Sequence, residues 1–156
     1  MTVILETERL FLRQLLLNDV DPLAALWASA DVMQYLGGPK TASQARAWVQ
    51  EQQREYRERG YGYWAVIHRE SAAFLGQAGV AAELGCELDP SCWGAGVAGE
   101  VLGAIRDHAF GSTGIEALRA SVHPKNKAAH RLAEGIGMTV EKKEDQWLYR
   151  IERPAP

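Results

Sequence analysis

Residues 83–98, E-L-G-C-E-L-D-P-S-C-W-G-A-G-V-A, gather most of the groups in this chain that could do chemistry. Glu83 and Glu87 are carboxylates able to take a proton, Cys86 and Cys92 are thiols, and residues 94–99 spell G-x-G-x-x-G. Successive peptide N–H groups in a glycine-rich turn at a helix start point outward together, and the helix dipole adds partial positive charge. Such a loop suits a pyrophosphate. Gly94 and Gly96 carry no side chain to block its approach, and Ala98 is small enough to leave the first helical turn open. A dinucleotide site would need a hydrophobic strand running straight into the first glycine and an acid closing the next strand. Here the lead-in is Leu88 to Trp93, with Asp89 and Pro90 inside it, and the next strand, I-E-A-L-R-A-S-V-H, ends on His123. An NAD(P)-binding enzyme is therefore the lesser alternative.

The other reactive groups are sparse. Glu83 and Glu87 share one strand face but lie four residues apart, roughly 13 Å along a strand, too far to work as a carboxylate pair. The C-x5-C spacing of Cys86 and Cys92 matches no common zinc or redox pattern, so no metal site is expected. A covalent route through Cys86 is chemically conceivable, although a cysteine at an apolar strand position ordinarily packs as a small hydrophobe. His123 is a second base beside Glu83.

The elements that must position these groups follow from periodicity. Leu10 and Leu12 alternate with Arg9, Phe11 and Arg13 in a first strand; Asp19 or Asp21 then caps a helix with apolar Leu23, Leu26, Trp27 and Ala30. Thr41 with Gln44 forms a capping box that opens a second helix to about Arg59. Residues 61–68 are apolar on both faces, which suits a strand inside a sheet; 74–80 and 82–88 follow as strands joined by a tight hairpin. A helix follows the glycine loop through Val101, Leu102, Ile105 and Ala109 until Gly111 and Gly114. Residues 115–123 form a strand, Lys127 to Ile136 a short helix closed by Gly137, and Trp147 to Ile151 a last strand. The pattern predicts one α/β domain over residues 1–156, with 153–156 as a loose tail.

Composition sets outer limits. The 156 residues are 47% hydrophobic and 24% charged, enough for one real core. Seventeen Lys and Arg against 20 Asp and Glu leave a charge of −3, which disfavours nucleic acid as a partner. Two cysteines build no disulfide framework, which fits a cytoplasmic setting. Charge at Glu6 interrupts any signal-like start, and no 18-residue apolar run exists, so neither export by that route nor a membrane span is expected.

Five segments, in order, resemble the GNAT N-acetyltransferases. W-G-A-G-V-A stands where that family has its Q/R-x-x-G-x-G/A loop. T-E-R-L-F-L-R begins the chain, A-E-L-G-C-E-L-D-P precedes the loop, and H-P-K-N follows the next strand. A-A-H-R-L-A-E-G-I-G-M resembles the N-x-x-S-x-R-x-x-E-x-x-G-F helix, and the whole, over about residues 5–152, looks like the RimJ/RimL branch. The resemblance implies a largely antiparallel mixed sheet of six to seven strands, with a splayed parallel pair and about four helices. It implies acetyl-CoA as cofactor and an amine-bearing acceptor: a peptide or ribosomal-protein N-terminus, or a small amine. A non-catalytic acyl-CoA-binding module is the alternative, and a homodimer is among the open oligomeric states.

By the same resemblance, peptide groups of Cys86 and Leu88 hold the pantetheine arm, and N–H groups of Trp93, Gly94, Ala95, Gly96, Val97 and Ala98 hold the pyrophosphate. Glu83 is the base that frees the attacking amine, with His123 as second candidate. Asn126 and Arg131 face the cofactor, and Lys125 and Lys127 are near enough in sequence to meet its 3′-phosphate. Trp27, Tyr35, Tyr61 and Trp64 are candidates for the acceptor pocket wall. Ala129 stands where the family has serine, which removes a hydroxyl that would serve the leaving thiolate; Ala95 replaces a frequently basic residue.

Overall fold

The computed structural model describes residues 2–156. Strands β1 (Val3–Glu6), β2 (Leu10–Gln14), β3 (Tyr63–His68), β4 (Phe74–Val80) and β5 (Leu84–Leu88) form one antiparallel sheet in that order. Strands β6 (Ala117–Val122), β8 (Trp147–Glu152) and β7 (Thr139–Lys142) form a second, in the order β6-β8-β7. The helices are α1 (Val20–Trp27), α2 (Ala42–Arg59), α3 (Val97–Ser112) and α4 (Lys127–Gly135).

β3 explains why the larger sheet is covered on both sides. Successive side chains of a strand point to opposite faces. Tyr63, Ala65 and Ile67 therefore enter a core with Leu23, Leu26 and Trp27 of α1 and Ala45 and Val49 of α2. Trp64 and Val66 enter the other core with Val101, Leu102 and Ile105 of α3, Leu10 and Leu12 of β2, and Tyr149 of β8. The doubly apolar run of residues 63–67 is thus a strand sandwiched between helical layers.

Four expectations change. There are eight strands among the described residues, not six or seven. β1 and β7 escape periodicity because they lie at sheet edges, where β7 is exposed throughout and little alternation is imposed. All ladders are antiparallel; β5 and β6, linked through α3 as a strand–helix–strand crossover, share none among the described residues. The helix after Asp19 ends at Trp27, before Ala30. The Asp19 carboxylate, moreover, makes no cap bond to α1; it accepts from Arg13 at 2.7 and 2.9 Å and from the Leu16 backbone N–H at 2.8 Å. The capping box of Thr41 and Gln44 is formed, with bonds of 2.8 and 3.2 Å.

Candidate active site

The edges β5 and β6 face each other across a gap between the two sheets. The Glu83 side chain spans it. Glu83, just before β5, accepts the Ser121 backbone N–H and the Ser121 hydroxyl, each at 2.7 Å. Alternate peptide groups of an edge strand have no partner on their open side. Part of the β5 backbone around Cys86 therefore presents unpaired hydrogen-bonding groups to the gap.

The glycine loop follows at the C-terminal end of β5. Asp89 caps a short 3-10 turn, Pro90–Cys92, and Trp93 donates its indole N–H back to the Leu88 carbonyl at 2.9 Å. Trp93, Gly94, Ala95 and Gly96 are exposed, whereas the Val97 side chain is buried in the core. Gly94 and Gly96 have φ of +80° and +79°, left-handed values that favour glycine. Gly96 caps α3 without any side chain, so the first N–H groups of that helix meet neither an intrahelical partner nor a side-chain cap. A Cβ placed on Gly94 would meet open space, and one on Gly96 only Arg9 Nη2 at 3.6 Å. Open space, free amides and a helix dipole fit a diphosphate.

Beyond the gap, His123 is exposed; its Nδ1 accepts the Lys125 N–H at 3.1 Å, so its ring lone pair is already engaged. Tyr35, from the segment joining α1 to α2, lies against the His123 ring with centroids 5.0 Å apart and thereby reaches from one sheet's helices to the other sheet. Asn126 caps α4, its Oδ1 accepting the Ala129 N–H at 3.2 Å, which leaves its NH2 group for other use. Arg131, Lys125 and Lys127 are exposed. His130 is held by Tyr149 at 2.9 Å and by the Pro124 carbonyl at 3.0 Å and serves to fasten α4.

The aromatic candidates divide between the two faces. Trp64 is buried in the α3-side core beside His108, and Tyr61 packs against that same core. Trp27 belongs to the α1–α2 side. There a network escapes the sequence reading: Trp48 donates to Gln77 at 2.7 Å, and Gln77 and Trp27 both donate to Glu87 Oε1 at 2.8 Å. Gln77 lies opposite Glu87 in the β4–β5 register, a pairing visible only once the hairpin is known. Burial pushes the Glu87 pKa up, opposed by the bonds from Gln77 and Trp27 and by the charge of Lys40. Burial likewise raises the Cys86 thiol to about 12, which leaves it protonated at neutral pH and a poor nucleophile. Next to Cys86, Gly85 makes room for Tyr63, whose hydroxyl lies 2.3 Å from where a Cβ on Gly85 would sit. Among the described residues no cluster of three or more His, Cys, Asp or Glu is placed to hold a metal, and no helix is long and apolar enough to cross a membrane.

This architecture has relatives. The acetyltransferase (GNAT) domain family matches residues 9–139. The chain is 34% identical to the uncharacterized protein YkkB of Bacillus subtilis, over 92% of this chain and 89% of the relative. It superposes on an acetyltransferase of Agrobacterium tumefaciens with a TM-score of 0.87 and 27% identity, covering 97% of this chain and 95% of the other. A TM-score of 0.85 relates its fold to RimL, a ribosomal L7/L12 alpha-N-protein acetyltransferase solved with coenzyme A, at 20% identity and 97% and 98% coverage. The chain belongs to the GNAT acetyltransferase family and shares its fold with a solved acetyltransferase.

Proposed function

We propose that this chain is an acetyl-CoA-dependent N-acetyltransferase that moves an acetyl group directly to a primary amine. The acceptor is of the RimJ/RimL kind: a peptide or ribosomal-protein N-terminus, or a small amine. The observation that carries the reading is the open edge of β5 leading into an exposed glycine loop whose helix-start amides are free. When bound, acetyl-CoA supplies an activated thioester carbonyl. Peptide groups of Cys86 and Leu88 align the pantetheine arm along β5, and the N–H groups from Trp93 to Ala98 neutralise the pyrophosphate. The Asn126 NH2 group and Arg131 add side-chain contacts from α4.

An attacking amine must be neutral, yet a Lys-like amine of pKa near ~10.4 or an α-amine near ~8 is mostly protonated at neutral pH. Glu83 would accept that proton before attack, freeing the nitrogen lone pair to bond to the carbonyl carbon as the carbon–sulfur bond breaks, and the second N–H proton would pass to water as the amide forms. Two hydrogen bonds to Ser121 fix the Glu83 carboxylate between the facing edges of β5 and β6, where the residue stays exposed to solvent. Glu83 is assigned the role before His123 because its carboxylate joins the two facing strand edges, whereas His123 follows the end of β6. Ala129 offers no hydroxyl to the leaving thiolate, which would depart unassisted or with a proton from water. The two free cysteines are compatible with a reducing cytoplasm as the place of work.

Release of free thiol from acetyl-CoA across a panel of N-terminal peptides, polyamines and aminoglycosides tests the reading. Turnover on at least one amine is expected. Coenzyme binding with no turnover on any of them would make the protein an acyl-CoA-binding module instead.

A further inference from the structure

We infer that Arg9 is a positioning residue of the diphosphate loop, one that sets which way the Ala95–Gly96 peptide faces; this rests on the loop being the diphosphate site. Arg9 Nη1 donates to the Ala95 carbonyl at 2.9 Å from a segment 86 residues away in the chain. A trans peptide holds its C=O and N–H on opposite sides. Drawing the Ala95 oxygen toward Arg9 therefore turns the Gly96 N–H away from Arg9, to the outer side of the turn where an anion would lie. The restraint matters because Gly96, with its left-handed φ of 79°, also tolerates negative φ, so nothing in the local backbone bars that peptide plane from flipping. The loop holds no cation of its own between Trp93 and Ala98, and Arg9 is the guanidinium that contacts it.

The guanidinium is itself held from the rear. Arg9 Nε donates to Glu100 Oε1 at 2.8 Å, and the Arg9 backbone N–H donates to Oε2 at 3.2 Å. The Thr7 hydroxyl donates to the same Oε2 at 2.5 Å. Burial alone would raise the Glu100 pKa, but the bonds from Thr7 and Arg9 outweigh it and hold the carboxyl below its ordinary value, ionised at neutral pH. Glu100 stands in the first turn of α3, where its charge beside a diphosphate would be repulsive; Arg9 lies between the two and cancels it. The β1–β2 turn, remote in sequence from the loop, thus becomes its rear wall.

The test uses ADP as a probe that carries a diphosphate and no pantetheine arm, together with acetyl-CoA kinetics and the Gly96 amide signal in a 15N spectrum. Arg9→Ala is expected to weaken ADP binding about tenfold, the equivalent of one charge-assisted hydrogen bond. It should raise KM for acetyl-CoA in proportion, change kcat far less, and abolish the ADP-induced shift of the Gly96 amide. Arg9→Lys, which keeps a charged donor, should recover part of the binding. Unchanged ADP affinity in Arg9→Ala, or an unmoved Gly96 amide in the parent despite tight ADP binding, would overturn the role of Arg9. A folded parent that binds neither ADP nor coenzyme A would instead overturn the loop assignment.

Discussion

The carboxylate of Glu83 bridges the two sheets by accepting both the backbone N–H and the hydroxyl of Ser121 at 2.7 Å. The bridge fastens the two edges at that point, while β5 and β6 share no ladder among the described residues. Replacing Glu83 by Gln keeps the shape and an acceptor oxygen but removes the basic site. We expect kcat to fall by about 10²–10⁴, with coenzyme A affinity within about twofold of the parent, since the peptide and loop contacts assigned to the cofactor are untouched. Thiol-release kinetics and calorimetric titration read the two effects separately; equal kcat in parent and variant would remove Glu83 from the chemistry.

A second expectation concerns pH and Glu87. Its folded pKa lies above the ordinary carboxylate value of 4.5 because burial outweighs its hydrogen bonds. A raised folded pKa means that the native state binds the proton more tightly than the unfolded chain. The associated stability is complete below 4.5 and is lost as pH rises through the folded value. Glu87→Gln, which can still accept from Trp27 and Gln77, should match the parent in thermal midpoint near pH 4 and exceed it increasingly toward pH 7. A gap between the two melting curves that does not change with pH would contradict this reading.

Gly85 gives a packing prediction. The Tyr63 hydroxyl occupies the space a side chain at residue 85 would need, with only 2.3 Å to a Cβ there. Tyr63 is fixed by the T-shaped packing of Trp48 on its ring and by the buried core around it, so it has little freedom to withdraw. Gly85→Ala should cost about 1–3 kcal/mol, a loss of several degrees in thermal midpoint. Adding Tyr63→Phe, which deletes the obstructing oxygen, should return part of that loss. Failure of the second substitution to help would show that the strain lies elsewhere.

The thiols offer a chemical check. With its pKa near 12, Cys86 holds a thiolate fraction on the order of 10⁻⁴ at pH 8. Iodoacetamide at that pH should label Cys92, whose pKa is raised by its lesser burial and by Asp89, well before Cys86. Peptide mapping reads the order. Rapid labelling of Cys86 would restore a covalent acetyl-cysteine route to consideration.

The glycine loop, the strands flanking it and the capping box of α2 are legible in the sequence because they are local. A left-handed turn, a cap and an alternating apolar pattern each write themselves into a few adjacent residues, as at Gly94–Ala98 and Thr41–Gln44. Val3–Glu6 and Thr139–Lys142 are not legible as strands, since edge positions with little burial place weak demands on residue type. The dual burial of β3 is legible as a pattern; its assignment of Trp64 to α3 and Trp27 to the Glu87 network is not.

The sequence and its resemblance to a family determined the class of domain, the candidate carboxylate at Glu83 and the glycine turn proposed for a diphosphate. The meeting of Glu83 with Ser121, of Glu87 with Trp27, and of Arg9 with Ala95 was decided by tertiary structure. Those partners lie 38, 60 and 86 residues apart. Such pairings depend on strand register and helix docking, and these are set by the sum of many buried contacts rather than by any residue type within a short window.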